Sequence, residues 1–312
     1  MIHRILATLA IGMWAVRGLA AAPDPPKIDC RSLGTADGCR LELEEYWTLE
    51  RMGAARPLPL PILEEEDESR SRGGERPGSA AEGISPELTE SLPWPGRTTP
   101  VPADVAQWPY RTAGRLFFSK NPTKKGQDFW CTAEFVGTPG TVLTAAHCVR
   151  SGLSGKWYSK FRFVRGYGGE SPQIVSLERV ATWPSWVGGQ VPDYSYDYAF
   201  FATADLSNAG WLALGTVDWY FFWRSIGYPK NYGDGKTMYR VTGPKGTVGR
   251  GTVEMLGNPM DRGASGGAWI GGGGSAIGLN SHYFRFYPDR VGSPRFDERT
   301  LILLANVVNG CR

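Results

Sequence analysis

At 312 residues the chain has room for one or two domains, and 41 % hydrophobic with 21 % charged residues places it among globular proteins. The formal net charge is only +3 and no Lys/Arg run is clustered, so nucleic acid is not an expected partner. No Gly-rich loop leads into a helix with Lys-Ser or Lys-Thr, and neither His-Glu-x-x-His nor paired Cys-x-x-Cys occurs, so no metal and no cofactor is expected.

The first residues do not read as part of a fold. His3 and Arg4 open a charged region, residues 5–16 are almost wholly apolar, and Ala20, Ala21 and Ala22 offer small side chains for cleavage. That is the pattern of a secretory signal peptide over residues 1–21, cut after Ala20 or Ala21. The apolar run is shorter than the roughly 20 residues a membrane span needs. No later run is longer, so the expectation is an exported chain without a stable membrane anchor, extracellular or periplasmic. Disulfides persist in such compartments, and five cysteines are present: Cys30, Cys39, Cys131, Cys148 and Cys311. Among Cys30, Cys39 and Cys311 the simplest pairing is a local Cys30–Cys39 loop with Cys311 free. A bond from Cys30 or Cys39 to Cys311 would instead tether the N-terminal segment.

Composition then shifts. Residues 41–96 hold 13 Asp or Glu against 5 Arg, including Glu64, Glu65, Glu66, Asp67 and Glu68. With +2 over residues 1–40, −8 over 41–96 and +3 overall, residues 97–312 carry +9. Residues 22–102 read as an acidic, low-complexity and largely disordered segment, because such sequence has too little apolar area to offset chain entropy. Within it, residues 41–52, with Tyr46, Trp47 and Leu49, read as one short helix or a docking element. A solvated linker and the propeptide of a zymogen, whose acidity suits a basic domain, both remain open.

From about residue 103 short apolar runs alternate with Gly, Pro, Asn and Asp. They lie at 116–118, 133–136, 161–164, 174–177, 238–241, 251–255, 276–279 and 301–308. β-branched and aromatic residues dominate, so the spacing predicts one antiparallel all-β domain over residues 103–312. Gly271 to Gly274 read as a tight hairpin turn.

Two stretches carry chemistry. Thr144-Ala145-Ala146-His147-Cys148 places a histidine directly after a strand-like run, and Gly263-Ala264-Ser265-Gly266-Gly267 places a serine where backbone can approach a ligand closely. Between them Asp197 leads into the apolar run at 198–201, and Asp193, in a Pro/Tyr/Ser stretch, is its rival. A serine nucleophile needs a base, and the base an orienting carboxylate, so this chain order supplies the parts of an acyl-transfer site.

These motifs resemble those of the chymotrypsin-fold serine peptidases. Trp108 to Leu116, Tyr196-Asp197-Tyr198-Ala199, Ile226-Gly227-Tyr228-Pro229, Ser265 to Trp269 and Gly278-Leu279-Asn280-Ser281 are similar to the compact secreted branch that includes the glutamyl endopeptidases. The resemblance covers roughly residues 100–312. It implies an all-β fold of two six-stranded antiparallel β-barrels with the active site between them. It further implies an endopeptidase acting on protein or peptide through an acyl-enzyme, as a monomer. His147 would be the base, Asp197 its orienting carboxylate and Ser265 the nucleophile, with the oxyanion hole made by the N–H groups of Gly263 and Ser265. A Cys131–Cys148 disulfide would close the histidine loop. Ser281 and His282 fall on the strand the family uses to pair with extended substrate, where His282 reads as a partly exposed aromatic. Met260 and Asp261 fall in the stretch that shapes the specificity pocket, with Asp261 a candidate for selecting basic side chains.

Three departures matter. Pro259 stands where a trypsin-like aspartate would fall and Asn280 where the glutamate-specific members carry histidine, so neither specificity transfers. Ala264 replaces the aspartate that receives a new N-terminus in the animal digestive members, so activation by N-terminal insertion is not expected. The competing function class is a non-catalytic protein-binding domain of the same fold.

Overall fold

Apolar residues at consecutive rather than alternating positions mark the middle of the first sheet. Leu116 and Phe118 point into its core, where Phe118 stacks on Tyr158 with centroids 5.3 Å apart, while Phe117 points the other way. A strand exposes one face unless something covers it. Here Trp47 of the N-terminal segment packs on Phe117 at 5.6 Å. The structure, a computed structural model, describes residues 27–34, 37–63, 98–216, 220–249 and 251–311. The signal-peptide reading and the acidic run at 64–68 lie outside the described residues.

Two sheets hold almost all the strands. The first runs in the order Asp29–Ser32, Leu177–Thr182, Ala199–Thr203, Thr141–Thr144, Asp128–Phe135, Ala113–Ser119, Ser159–Arg165 and Gln173–Val175. Every neighbouring pair along that path is antiparallel. The second runs Ala213–Leu214, Ser275–Leu279, Ala268–Ile270, Phe222–Gly227, Tyr239–Val248, Thr252–Leu256, Tyr287–Pro294, His282–Phe284 and Ile62–Leu63. Trp223 and Trp269 stack at 5.2 Å in its core. The all-β, two-barrel expectation holds, with the barrels meeting where strand Asp128–Phe135 faces the turn at 263–267. The Gly272–Gly274 turn links Ala268–Ile270 to Ser275–Leu279, as a hairpin requires.

Three features differ from the sequence reading. The run at 301–308 is not a strand but part of a helix, Glu298–Val308. Asp297 and Thr300 form a reciprocal capping box, and Leu303, Leu304 and Val307 share the buried face while Leu301 and Val308 are 54 % and 49 % exposed. The apolar run is helical because only one side of it meets the first sheet. Cys30 bonds Cys311, not Cys39, because Asp29–Ser32 pairs with Leu177–Thr182 beside the end of that helix. The N-terminal segment is also ordered over 37–63. Two short helices, Asp37–Tyr46 and Leu49–Ala54, stand where one was expected, and Thr48 caps the second by accepting from the Arg51 N–H at 3.1 Å. Trp47, Met52 and Ala55 give this segment the buried apolar area that its composition alone does not suggest.

Candidate active site

Strand Thr141–Thr144 runs out of the first sheet into a single 3₁₀ turn, Ala146–Cys148, that carries His147. A Cys131–Cys148 disulfide, Cα atoms 6.3 Å apart, ties this turn back to strand Asp128–Phe135. With both sulfurs in that bond, the close grouping of Cys131, His147 and Cys148 offers no thiolate to a metal.

Asp197 follows the turn Tyr194–Tyr196 and immediately precedes strand Ala199–Thr203, fully buried. Its carboxylate grips the histidine twice. Oδ1 accepts from the His147 backbone N–H at 2.8 Å, and Oδ2 lies 2.8 Å from His147 Nδ1. Oδ2 also accepts from the Ser281 hydroxyl at 2.6 Å. A carboxylate at Nδ1 places the ring proton there and leaves Nε2 as the acceptor of a neutral imidazole. Asp193 does something else: it caps its own turn, accepting from the N–H and hydroxyl of Ser195 at 3.0 and 2.6 Å.

The serine sits on a turn braced from both sheets. Gly263 and Gly266 hold φ of 90° and 82°, a region L side chains rarely enter. A Cβ at Gly263 would run into Trp130 Nε1 and the Tyr228 carbonyl, and one at Gly266 into Thr144 Oγ1 and the Thr132 carbonyl. Thr132 clamps the turn, its N–H donating to Ser265 O at 2.8 Å and its hydroxyl to Gly263 O at 2.9 Å. The Thr144 hydroxyl donates to Thr132 O at 2.9 Å, so one threonine links the histidine-bearing strand to the serine turn. From the second sheet, the Asn280 amide donates to Ala264 O at 3.1 Å and Ile226 O at 3.0 Å. Its Oδ1 in turn accepts from Ser225, Trp269 and Asn258. Sequence reading passed over Thr132 and took Asn280 only as a specificity difference. Nothing local to either residue signals a brace, since each acts through partners more than ten positions away.

Ser265 Oγ and His147 Nε2 are both buried, and neither makes a hydrogen bond. A buried polar atom left unpaired costs about 1–3 kcal/mol. Two such atoms, on elements clamped to each other, mark a place organised for something other than stability.

The expected substrate-facing residues divide. His282 is 1 % exposed, not partly exposed, because its ring packs on Gly292, where a Cβ would collide with it, and between Tyr194 and Phe284. Its Nδ1 lies 2.9 Å from Ser281 Oγ, completing a chain from His282 through Ser281 and Asp197 to His147. Burial holds the His282 pKa down at about 4, against the attraction of Asp197 and reinforced by His147. Met260 is fully buried, and its carbonyl accepts from the Tyr283 hydroxyl. Asp261 stays at the rim, its carboxylate 3.7 Å from Arg262 Nε.

Sequence reading gave no site role to residues 56–63, yet they lie in the cleft. The Gly263 N–H donates to Leu58 O at 2.9 Å, and the Tyr283 N–H to Pro61 O at 2.8 Å. An open groove of about 490 Å³ beside them is lined in part by His147, Tyr158, Trp186, Tyr194 and residues 58–62.

Neither a protein-family model nor a curated protein matches the chain in sequence. Among solved structures it is similar to AL20, a thermostable serine protease from an extremophilic microorganism, at 25 % identity and a TM-score of 0.52 over 62 % of this chain and 96 % of that one. It is also similar to the protease Anisep from Arthrobacter nicotinovorans, at 20 % identity and a TM-score of 0.52 over 67 % of this chain and 96 % of that one. A Glu endopeptidase superposes at 16 % identity and a TM-score of 0.53 over 68 % of this chain and 95 % of its own. The fold is that of the chymotrypsin-like serine peptidases. Nearly the whole length of each neighbour is matched, by 62–68 % of this chain.

Proposed function

We propose that this chain is an exported serine endopeptidase working through His147, Asp197 and Ser265. The observation that carries this reading is the Asp197–His147 pair at 2.8 Å, with His147 Nε2 and the Ser265 hydroxyl both buried and unbonded, on a serine-peptidase fold.

The chemistry follows from the atoms. His147 Nε2 takes the Ser265 proton as Oγ bonds to the scissile carbonyl carbon, and the carbonyl oxygen gains the negative charge. The N–H groups of Gly263 and Ser265 receive that oxyanion, an interaction whose loss typically costs ~100–1000-fold in turnover. Collapse breaks the C–N bond, and the imidazolium gives its proton to the departing amine. Water, activated by the same base, then hydrolyses the acyl-enzyme. Asp197 holds the ring orientation with its two contacts to His147. Two disulfides suit an oxidising compartment, and no described helix is long and apolar enough to cross a membrane.

The test is covalent labelling by an aryl phosphonate, with the modified residue located by mass spectrometry. It is run on the wild-type chain and on Leu58→Asp/Leu60→Asp, in which the cleft segment carries charge. Labelling at Ser265 that disappears in both Ser265→Ala and His147→Ala supports the peptidase. A folded chain that takes no label in either background is instead a binding domain of the same fold.

A further inference from the structure

Residues 56–63 join the two sheets across the line where they meet. Arg56–Pro57 pairs with strand Asp128–Phe135 of the first sheet, and Ile62–Leu63 pairs with His282–Phe284 of the second, both in parallel. Between these anchors the Leu58 N–H donates to Trp130 O at 3.0 Å and Leu58 O accepts from the Gly263 N–H at 2.9 Å. The side chains of Leu58 and Leu60 are both 3 % exposed. Leu60 belongs to the same apolar cluster as Met260, Ala264 and Trp269, beside the serine turn.

The sequence suits this path. Pro57, Pro59 and Pro61 alternate with Leu58, Leu60 and Ile62. Each proline fixes φ near about −65° and carries no N–H. The segment is therefore extended before it binds, and its proline positions leave no donor to satisfy. Main-chain hydrogen bonds to sheet edges with alternate side chains in pockets are how a peptide ligand docks by strand addition.

We propose that residues 56–63 are an autoinhibitory strap, an intramolecular ligand of the peptidase cleft that must leave before substrate can enter. The inference rests on the peptidase reading above. The conflict is explicit at one atom: the Gly263 N–H that would receive the oxyanion already donates to Leu58 O. That carbonyl belongs to the Leu58–Pro59 bond, a tertiary amide whose nitrogen carries the proline ring carbon in place of a hydrogen. The strap thus fills the oxyanion position with a carbonyl of its own.

It is also well moored. Trp47 Nε1 donates to Lys160 O at 2.6 Å, while Tyr46 and Arg51 each bond a different oxygen of Asp128 at 2.7 Å. Upstream, the Cys30–Cys311 disulfide ties the segment covalently to the C-terminal end of the chain. Tethering keeps the effective concentration of the strap high, so a cut beyond Leu63 would not by itself release it. Charge is not the holding force: the residues in the cleft are apolar, and the acidic run begins after them.

The experiment compares phosphonate labelling rates at Ser265 in the full wild-type chain and in the full Leu58→Asp/Leu60→Asp chain. The expected result is labelling at least tenfold faster in the variant, slowed again by adding a synthetic peptide of residues 56–63 in excess. Equal rates in the two chains overturn the strap and leave the serine chemistry standing; no label in either overturns both. Should the charged variant unfold, hydrogen exchange on the wild type decides alone. The Leu58, Gly263 and Tyr283 amides must be protected to the level of the neighbouring strands, and exchange at the rate of an open loop overturns the proposal.

Discussion

His282 is expected to set an acid limit on stability. Its ordinary pKa is 6.5, and burial lowers it to about 4 in the folded chain. Between those values the unfolded chain binds a proton that the folded chain refuses. This component of stability is therefore fully present above pH 6.5 and is lost progressively as pH falls towards 4. At 1.36 kcal/mol per pH unit the loss at pH 4 is on the order of 3 kcal/mol. For a chain of this size each kcal/mol moves Tm by ~2–4 °C, so the shift is roughly 6–12 °C. His282→Phe keeps the ring between Tyr194 and Phe284, centroids 4.6 and 5.4 Å away, and removes the titration. It also removes the bond from Nδ1 to Ser281 Oγ, which costs about 1 kcal/mol at every pH. Thermal melts by circular dichroism at pH 7.5 and pH 4 measure both effects. The variant should melt a little below wild type at neutral pH and several degrees above it at pH 4. Parallel melting curves, with the same Tm difference at both pH values, would refute the argument.

Three further outcomes follow from the site. Glu134 is fully buried, and burial holds its pKa well above the ordinary carboxylate value, with the Ala268 backbone offsetting that only in part. Because the folded chain keeps a proton that the unfolded chain releases, stability falls as pH rises above 4.5, and Glu134→Gln should gain in Tm over wild type from pH 4.5 to 8; a constant difference contradicts this. Ser281→Ala removes one hydrogen bond to the Asp197 carboxylate, a charged interaction worth about 1.5–3 kcal/mol, and should lower kcat roughly 10- to 100-fold with little change in KM when measured in the Leu58→Asp/Leu60→Asp background. Unchanged kcat would detach Ser281 from the triad. In that same background, peptides with leucine before the scissile bond should be cut faster than glutamate or lysine counterparts, because Leu58, whose carbonyl takes the Gly263 N–H, is seated in an apolar cluster and Asp261 lies at the rim beside Arg262; a preference for lysine would restore Asp261 as the selector.

Much of the site was legible because its motifs are local. A strand followed by Ala-Ala-His-Cys, an aspartate leading an apolar run and a serine between glycines each encode their own backbone. The glycines at 263 and 266 are required by positive φ in the turn itself. The all-β architecture was equally local, written in β-branched and aromatic runs with turn residues between them. Residues 301–308 misled because an eight-residue apolar run fits a strand buried on both faces as well as a helix buried on one. Only contact with one face of the first sheet, and the Asp297–Thr300 cap, decide between them.

What the tertiary structure decided is everything that depends on partners distant in the chain. Composition counted residues 22–102 as too acidic to fold, and averaging over the acidic run hid Trp47, Met52, Leu58 and Leu60, which become core only against strands formed more than fifty residues later. The pairing of Cys30 with Cys311, the brace of Thr132 on Ser265 and the burial of His282 over Gly292 share that origin. By itself the sequence determined which atoms could perform acyl transfer. Whether the cleft that holds them is open was decided by packing, because apolar burial has no direction along the chain and the Leu-Pro repeat carries no mark of where it will dock.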